Sequence, residues 1–457
     1  MKTLRSTISA PLNRTGIVPR QQRGAATLAV VMLLFFVISL TAAYTSRNLI
    51  FEQRTSANQY RSTQSLEVAE AGMEWAIAMV NAGRVDDNCQ PTTDLTKGSI
   101  RQRYLNIHGP NGDLPTFPPG FAESRYKPDN SAPPFFACVF NGASWTCSCP
   151  SDLSLDPVLA VPPGTGQFPA FGVRFWDFDS TKPGTVRIEV NGCLSYDLAC
   201  VTWVNPAPEV NKPAQCQTTL CALVSLFSGV RMPPAAALTV RDSLSGSGLT
   251  VTNPVASIGG ITVHSGGAIS MTPPSSLILG SAPGTPGSVS KVENDSKLFN
   301  LPTESSTCTF CMFTSVFGLP PNAYKGQPAV VVIPCSGGCD ASTISSRAAE
   351  NPGRVLWLEG SGGLNLNTSA VIGSATDPVV LIVDGPVTAA AGSTVYGLIF
   401  GPSFSLDAGR FIGAVVSSGT VTAAGTAEIA YDADVIGRLK YQTGSFVRVP
   451  SSWRDFP

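Results

Sequence analysis

The sequence predicts an α+β protein in which a long N-terminal helix lies on a small antiparallel sheet and a glycine-rich all-β domain of the β-solenoid kind follows. Three observations support this: an uncharged apolar run near the N-terminus, helix-forming composition that continues beyond it, and short apolar segments between glycines in the second half. We expect a leader at 1–24, a helix at 25–83, a disulfide-containing α+β head at 84–233 and the solenoid-like domain at 234–457, with a cysteine-containing insertion at about 285–350.

The apolar run begins at Ala25 and ends at Tyr44, and the chain has no second run of this kind. Its length matches a bilayer-spanning helix, which needs about 20 apolar residues. Residues 1–24 carry basic side chains and no acid, which predicts a cytoplasmic N-terminus and export of the remainder. Two alternatives to the anchor of a processed, assembling subunit are a plain single-pass anchor and a cleaved secretory signal peptide. The signal peptide would be cleaved at Thr41-Ala42-Ala43, although its apolar stretch is usually shorter.

Helical character continues past Tyr44. From Thr45 to Ala82 the sequence contains no proline and is rich in good helix formers. Apolar side chains recur there at three- and four-residue spacing, which gives one apolar stripe: Leu66, Ala69, Met73, Ala76, Ile77 and Val80. Gly83 follows where a C-terminal cap is expected. One continuous helix would be about 87 Å long, and a cleaved signal peptide does not account for its second half.

Three segments carry a family resemblance: 22–28 (QRGAATL), the apolar run, and 66–76 (LEVAEAGMEWA). Together they resemble the N-terminal region of PilX-type minor pilins of Gram-negative type IV pili. In that family a prepilin peptidase cleaves after a glycine on the cytoplasmic side of the helix. The resemblance therefore implies cleavage between Gly24 and Ala25.

The resemblance also implies a location and partners. The chain would be a single-pass inner-membrane protein with a cytoplasmic N-terminus before assembly, and part of a pilus at the cell surface afterwards. Its partners would be the prepilin peptidase and, through the N-terminal helix, other minor pilins and the major pilin, with a tip adhesin as a further candidate.

One departure from the pilin pattern concerns the start of the helix. Major pilins usually have Phe or Met at the first mature position and Glu at the fifth, whereas this chain has Ala25 and Ala29. A carboxylate in a lipid-embedded helix is costly unless it is paired, and in pilins it is thought to pair with the amino terminus of the neighbouring subunit. We therefore expect a low-copy subunit of a mixed assembly. The pseudopilin K group of type II secretion shares the lack and is an alternative, as is a pilus-tip adhesin or a β-solenoid carbohydrate-binding protein.

All 12 cysteines lie between Cys89 and Cys339, on the predicted exported side. An even count outside the cytosol favours disulfides. Four pairs lie close in sequence: Cys193 with Cys200, Cys216 with Cys221, Cys308 with Cys311, and Cys335 with Cys339. The last two pairs also approach the spacing of a zinc ribbon, but an oxidising compartment favours disulfides over zinc.

Beyond the helix, residues 84–165 are irregular and rich in proline, and 171–176, 185–190 and 201–204 read as short strands between turn signals. From residue 234 three- and four-residue strand segments alternate with Gly, Ser and Asn. Segment 397–400 recurs sixteen residues later at 413–416, as expected for stacked coils that bury their apolar faces on one another. A β-sandwich is the alternative, although its strands are usually longer.

No constellation in the sequence predicts an enzyme. The two histidines, His108 and His264, lie apart from any nucleophile pattern, and the acids of the solenoid region stand at turns: Glu359, Asp377, Asp384 and Asp407. Asp432 and Asp434 are too few for a calcium site, which needs six to eight oxygens. The balance of 30 basic and 31 acidic residues gives no electrostatic footprint for nucleic acid, which would call for a concentrated basic patch. We predict a structural protein without cofactor or metal.

Overall fold

The computed structural model describes residues 23–105, 135–150, 159–160, 162–164, 167–177, 184–196, 201, 217–272, 290–302, 305 and 307–453. The predicted leader up to residue 22 lies outside the described residues, as do His108, Cys200 and Cys216. The chain divides into two compact units, unit 1 (Met1–Arg61) and unit 2 (Ser62–Pro457).

The helices are α1 (Arg23–Val80), α2 (Ile100–Tyr104), α3 (Ser296–Phe299), α4 (Met312–Phe317), α5 (Pro321–Lys325), α6 (Ala341–Glu350) and α7 (Ala433–Tyr441). The strands are β1 (Phe135–Phe140), β2 (Trp145–Ser148), β3 (Ala170–Asp177), β4 (Thr185–Cys193), β5 (Gln217–Ser228), β6 (Leu238–Val240), β7 (Leu244–Ser247), β8 (Thr250–Thr252), β9 (Val263–Ser265), β10 (Ile269–Thr272), β11 (Lys291–Val292), β12 (Val330–Pro334), β13 (Cys339–Asp340), β14 (Val355–Glu359), β15 (Leu364–Asn365), β16 (Val371–Ile372), β17 (Val379–Val383), β18 (Val387–Ala389), β19 (Thr394–Gly401), β20 (Phe404–Leu406), β21 (Arg410–Ser417), β22 (Val421–Ala424), β23 (Glu428–Ala430) and β24 (Gly444–Arg448).

The long N-terminal helix is confirmed: α1 spans 58 residues. Unit 1 contains its first part, in which every side chain from Ala26 to Arg61 is exposed. In unit 2, Ala69, Met73 and Ala76 of the predicted apolar stripe are buried. The helix ends at Val80, three residues before the glycine that marks the end in the sequence.

The last turns of α1 pack on a six-stranded antiparallel sheet with strand order β2-β1-β3-β4-β5-β24. The helix approaches this sheet closely at two glycines. A Cβ on Gly72 would clash with Phe171 and Val190, and a Cβ on Gly192 would clash with backbone atoms of Ser65 and Ala69. The predicted antiparallel sheet is confirmed, although its third predicted strand at 201–204 lies outside the described residues apart from Val201, which is helical.

The second half of the chain forms a three-sided β-solenoid of parallel strands. One side is the row β11-β9-β6-β21-β19-β17-β14-β12, and a second is β10-β7-β22-β20-β18-β15-β13. The third contains β16, the first residues of β19 and β21, then β23 and β8. Strands β19 and β21 turn a corner at Gly397 and Gly413, which pair in register and have φ of 144° and 131°. A side chain at either glycine would collide with the backbone of the preceding coil.

The coils do not stack in chain order. Coils at 330–424 follow one another until β21 and β22, whose next neighbours are β6 and β7, from much earlier in the chain. The stack then continues through β9, β10 and β11. The chain therefore enters the solenoid in its middle, builds outward to β11, crosses to the far end at β12 and returns to close on its own first coil.

The segment that makes this crossing contains α3, α4 and α5, within the predicted insertion at 285–350. Its aromatic side chains pack on the outer surface of the solenoid, with ring centroids 4.5–6.4 Å apart. The cluster consists of Phe313, Phe317, Tyr324, Trp357 and Phe400. Strand β17 is consequently buried along its whole length, because its inner side faces the solenoid core and its outer side lies under this cover.

The solenoid ends at β12, where proline limits further strand pairing. Val355 N–H donates to Ala329 O, and Cys335 N–H donates to Glu359 O. Because donors alternate along a parallel ladder, position 334 is one whose N–H would point away from β14. Pro334 supplies no N–H there, so this edge offers fewer donors to another chain.

The C-terminus does not stay in the solenoid, contrary to the range 234–457 expected for that domain. After α7 the chain returns to the head, and β24 pairs antiparallel with β5 along 224–228. This pairing covers the edge of β5, whose backbone N–H and C=O groups would otherwise be unpaired.

Candidate functional site: the exposed N-terminal helix

The first part of α1 is the largest exposed apolar surface among the described residues. Its apolar side chains from Leu28 to Leu40 are between 49% and 72% exposed, with Val37 and Phe35 at the two extremes. A soluble monomer rarely leaves so large an apolar surface in water. Among the residues that the structure describes, α1 is the one helix that is long and apolar enough to cross a membrane.

The predicted cleavage site lies at the start of this helix. Gly24 and Ala25 fall in the first turn of α1, which begins at Arg23. Ala29 lies on the exposed apolar surface. The first acidic residue of the whole chain is Glu52, so the apolar run carries no carboxylate that could pair with a neighbouring amino terminus.

The structure joins Cys308 to Cys311 and Cys335 to Cys339. The second bridge closes the turn between β12 and β13 in the end coil, which has a neighbouring coil on one side only. Cys193 is also disulfide-bonded, while its predicted partner Cys200 lies outside the described residues. Cys221 lies in β5 opposite Glu189, and Cys216, its predicted partner, is likewise not described.

Two further bridges were not among the predicted pairs. Cys89 is joined to Cys149 across 60 residues, and Cys138 to Cys147 across 9. The second pair could have been found, because 135–140 and 145–148 form a hairpin in which these cysteines are directly opposite. The first pair has no local signal.

The zinc alternative has no support in the described part of the chain. Cys308, Cys311, Cys335 and Cys339 are engaged in two disulfides. No group of three or more His, Cys, Asp or Glu side chains converges among the described residues. Asp432 uses its carboxylate to cap α7, where it accepts from the N–H groups of Asp434 and Val435.

Three acids near the solenoid turns have local partners. Glu359 pairs with Lys325, and Asp384 accepts a hydrogen bond from Trp357 Nε1 at 2.9 Å. Asp377 accepts a hydrogen bond from Gln102 Nε2 at 3.5 Å. Burial raises the pKa of Asp377 to about 6, although the positive charge of Arg84 acts to lower it.

The remaining candidate groups are also used locally. His264 Nε2 lies 2.8 Å from a carboxylate oxygen of Asp295. Asp407 contributes its backbone N–H to Ala389 O. The contact between His264 and Asp295 therefore joins β9 to the start of α3.

A cleft of about 400 Å³ lies between α5 and the solenoid, and aromatic residues of the cover line it together with Lys325, Asn322 and Asp384. It does not offer a ring on which a sugar could stack. Trp357 is only 5% exposed, and the ammonium of Lys325 lies over its ring at 5.3 Å from the centroid. The exposed helix, rather than this cleft, is the candidate functional site.

Comparison with known proteins agrees with the geometry of the helix. The PilX N-terminal family matches residues 23–74, which covers most of α1. No curated protein matches the chain. Among solved structures, the competence-associated pilin ComZ from Thermus thermophilus has 10% identity over 86% of this chain and 97% of its own, with a TM-score of 0.25. That score is too low to support an argument.

The exposed apolar helix and the family match show that the N-terminal segment of this chain is similar to that of pilins related to type IV pili. More particularly, residues 23–74 are similar to the PilX N-terminal family.

Proposed function

We propose that this chain is a structural, low-copy minor pilin that joins the initiating or tip complex of a type IV pilus after cleavage between Gly24 and Ala25. The observation that carries the proposal is the exposed apolar helix without a carboxylate at position 29. In pilins the fifth mature residue is the carboxylate that pairs with the amino terminus of a neighbour. This subunit can receive such a carboxylate at Ala25 but has none to give.

That asymmetry favours one end of a filament over a repeated position within it. A subunit that makes only one of the two reciprocal contacts can begin or terminate a row of subunits, but it interrupts the row anywhere else. In the membrane the unpaired amino group would be costly, so a carboxylate-bearing neighbour also gives the mature protein a reason to join a mixed assembly.

The size of unit 2 supports the same position. A compact chain of this length has a radius of gyration of about 21 Å, whereas packed helices lie only about 8–10 Å apart. Units of this width on neighbouring helices would compete for the same space. A single copy at an end of the filament avoids that competition.

Before assembly the apolar helix would hold the protein in the inner membrane of a Gram-negative cell, with the basic leader in the cytoplasm. The prepilin peptidase would act on that side. Other minor pilins and the major pilin would then contact the helix, while the disulfide-bonded head and the solenoid lie outside.

Gene deletion with complementation tests the proposal. Deletion should abolish or strongly reduce surface pili, the wild-type gene should restore them, and immunogold labelling of restored pili should mark ends rather than shafts. Labelling along the whole shaft would contradict a low-copy end position. Intact pili with lost protein secretion would indicate a type II secretion pseudopilin instead, and intact pili with lost adhesion would indicate an adhesin.

A further inference from the structure

Unit 1 carries three arginines at equal intervals beyond the apolar run: Arg47, Arg54 and Arg61. All three are exposed, and none forms an ion pair among the described residues. A seven-residue step falls only about 20° short of two full turns and advances about 10.5 Å along the axis. The arginines therefore form one row along one side of the helix.

Apolar side chains lie between the first two arginines on the same side. Ile50 and Phe51 follow Arg47 by three and four residues, which places them next to it on the helix surface. They are 49% and 71% exposed. Tyr44, Arg47, Ile50, Phe51 and Arg54 line one shallow groove. We name these residues, together with Arg61, the arginine face.

Lipid headgroups do not account for the whole row. The headgroup layer on each side of a bilayer is about 5–7 Å thick. Measured from Tyr44, at the end of the apolar run, Arg47 lies about 4.5 Å further along the helix axis, Arg54 about 15 Å and Arg61 about 25 Å. Phosphates can therefore reach Arg47 but not the other two.

No acid lies three or four residues from any of the three arginines, the spacing at which side chains on a helix pair. Glu52 is the only acid in residues 1–61, and it lies about 140° around the helix from Arg47. The charge of the row is thus left for a partner. A row that repeats every seven residues and contains apolar side chains matches the repeat by which two helices pack along a shared seam.

We infer that the arginine face docks a parallel α-helix of another pilin-type subunit, one that carries carboxylates at seven-residue spacing. This inference rests on the proposed function and specifies the partner at the same helix. Opposite charges along the seam would fix the axial register of the two helices, because a shift by fewer than seven residues separates the pairs. The contact should weaken as salt rises, since its charges lie outside the bilayer.

Photo-crosslinking in the native host tests the inference with the full-length protein. p-Benzoylphenylalanine replaces Phe51 on the arginine face or, as the matched control, Ser56, an exposed residue about 140° around the helix from Phe51. The position-51 probe should give an adduct that mass spectrometry maps to the N-terminal helix of a different pilin-type subunit, in a segment with carboxylates at seven-residue spacing. The position-56 probe should give at least tenfold less of it.

Charge reversal supplies the second arm of the experiment. In the triple variant R47E/R54E/R61E the amount of adduct should fall at least tenfold. In R47K/R54K/R61K it should stay at the level of the wild type. When the matching carboxylates of the identified partner are replaced by lysine, the adduct should form again with R47E/R54E/R61E. Equal membrane abundance and equal N-terminal processing of all variants show that the protein is present and correctly inserted.

Several results would overturn the inference: adducts with phospholipid alone, adducts with a second copy of this chain alone, equal adducts from positions 51 and 56, or an undiminished adduct in R47E/R54E/R61E. If the wild type is processed and found in pili while one of these results holds, the inference about the arginine face is wrong and the proposed pilin function stands. If the wild type is neither processed nor found in pili, both proposals fail.

Discussion

The side-chain amide of Asn81 pairs with both backbone polar groups of Phe446: Nδ2 donates to the Phe446 carbonyl oxygen at 2.9 Å, and Oδ1 accepts from the Phe446 N–H at 2.8 Å. Phe446 belongs to β24, the edge strand of the head sheet, so one side chain satisfies the edge groups that would otherwise be unpaired. Arg101 donates from Nη2 to Asn81 Oδ1 at 2.9 Å and from Nη1 to Gly353 O at 3.0 Å. The end of α1 is thereby tied to the last strand and to the solenoid.

Replacement of Asn81 by alanine should destabilise the protein by about 2–6 kcal/mol, because it leaves a buried N–H and a buried C=O without partners, at about 1–3 kcal/mol each. Urea unfolding of the full-length protein in detergent measures this. Asn48→Ala, at an exposed position of unit 1, is the matched control and should change stability little. Equal stabilities for the two variants would show that Asn81 does not hold the edge strand.

Glycine-to-alanine substitutions should have opposite effects at two sites. At Gly192 a Cβ would clash with backbone atoms of α1, so Gly192→Ala should cost about 1–3 kcal/mol through overpacking. At Gly437, within α7, a Cβ would have nothing within 4 Å, and Gly437→Ala should stabilise by about 0.5–1 kcal/mol through lower backbone entropy in the unfolded state. Unfolding midpoints compared side by side check this, and a neutral Gly192→Ala would mean that the helix does not approach the sheet this closely.

Asp377 should make stability depend on pH. Its folded-state pKa is about 6, above the ordinary 3.8, chiefly because of burial. Between these values the folded state binds more protons than the unfolded state, so wild-type stability should fall as pH rises from about 4 to about 6. Asp377→Asn keeps an acceptor for Gln102 and removes this loss. It should be more stable than the wild type by about 3 kcal/mol at pH 7, at about 1.4 kcal/mol per pKa unit, and equal to it below pH 4. Parallel stability curves across this range would contradict the prediction.

The disulfides should contribute unequally. In the chain-entropy account the contribution grows with the length of the closed loop, to about 4 kcal/mol for a loop of some sixty residues and about 2 kcal/mol for one of five. Cys89 and Cys149 are 60 residues apart, and Cys335 and Cys339 are 4 apart. The C89S/C149S variant should therefore have the larger loss of unfolding free energy. A larger loss in C335S/C339S would indicate instead that stapling the end coil matters more than loop length.

The sequence reveals those parts of the fold that have a local repeat. The apolar stripe from Leu66 to Val80 predicts the docked part of α1, and the sixteen-residue interval predicts the register in which Gly397 pairs with Gly413. The candidate helix follows from composition alone.

The features of the fold that could not be predicted are contacts between segments that lie far apart in the sequence. The stacking of β21 on β6 joins positions such as Val415 and Leu238. Nothing in the sequence of either strand identifies the other as its partner. The return of β24 to the head depends on the open edge of β5, and the bridge from Cys89 to Cys149 depends on the packing of the head. No short-range pattern records these contacts.

Cleavage between Gly24 and Ala25 is tested by the N-terminal residue of the protein recovered from its native membrane. Mass spectrometry determines this residue with and without the prepilin peptidase. We expect a chain that begins at Ala25 when the peptidase is present and keeps the leader when it is absent. A chain that begins near Tyr44, whatever the state of the peptidase, would contradict it and would indicate an ordinary secreted protein.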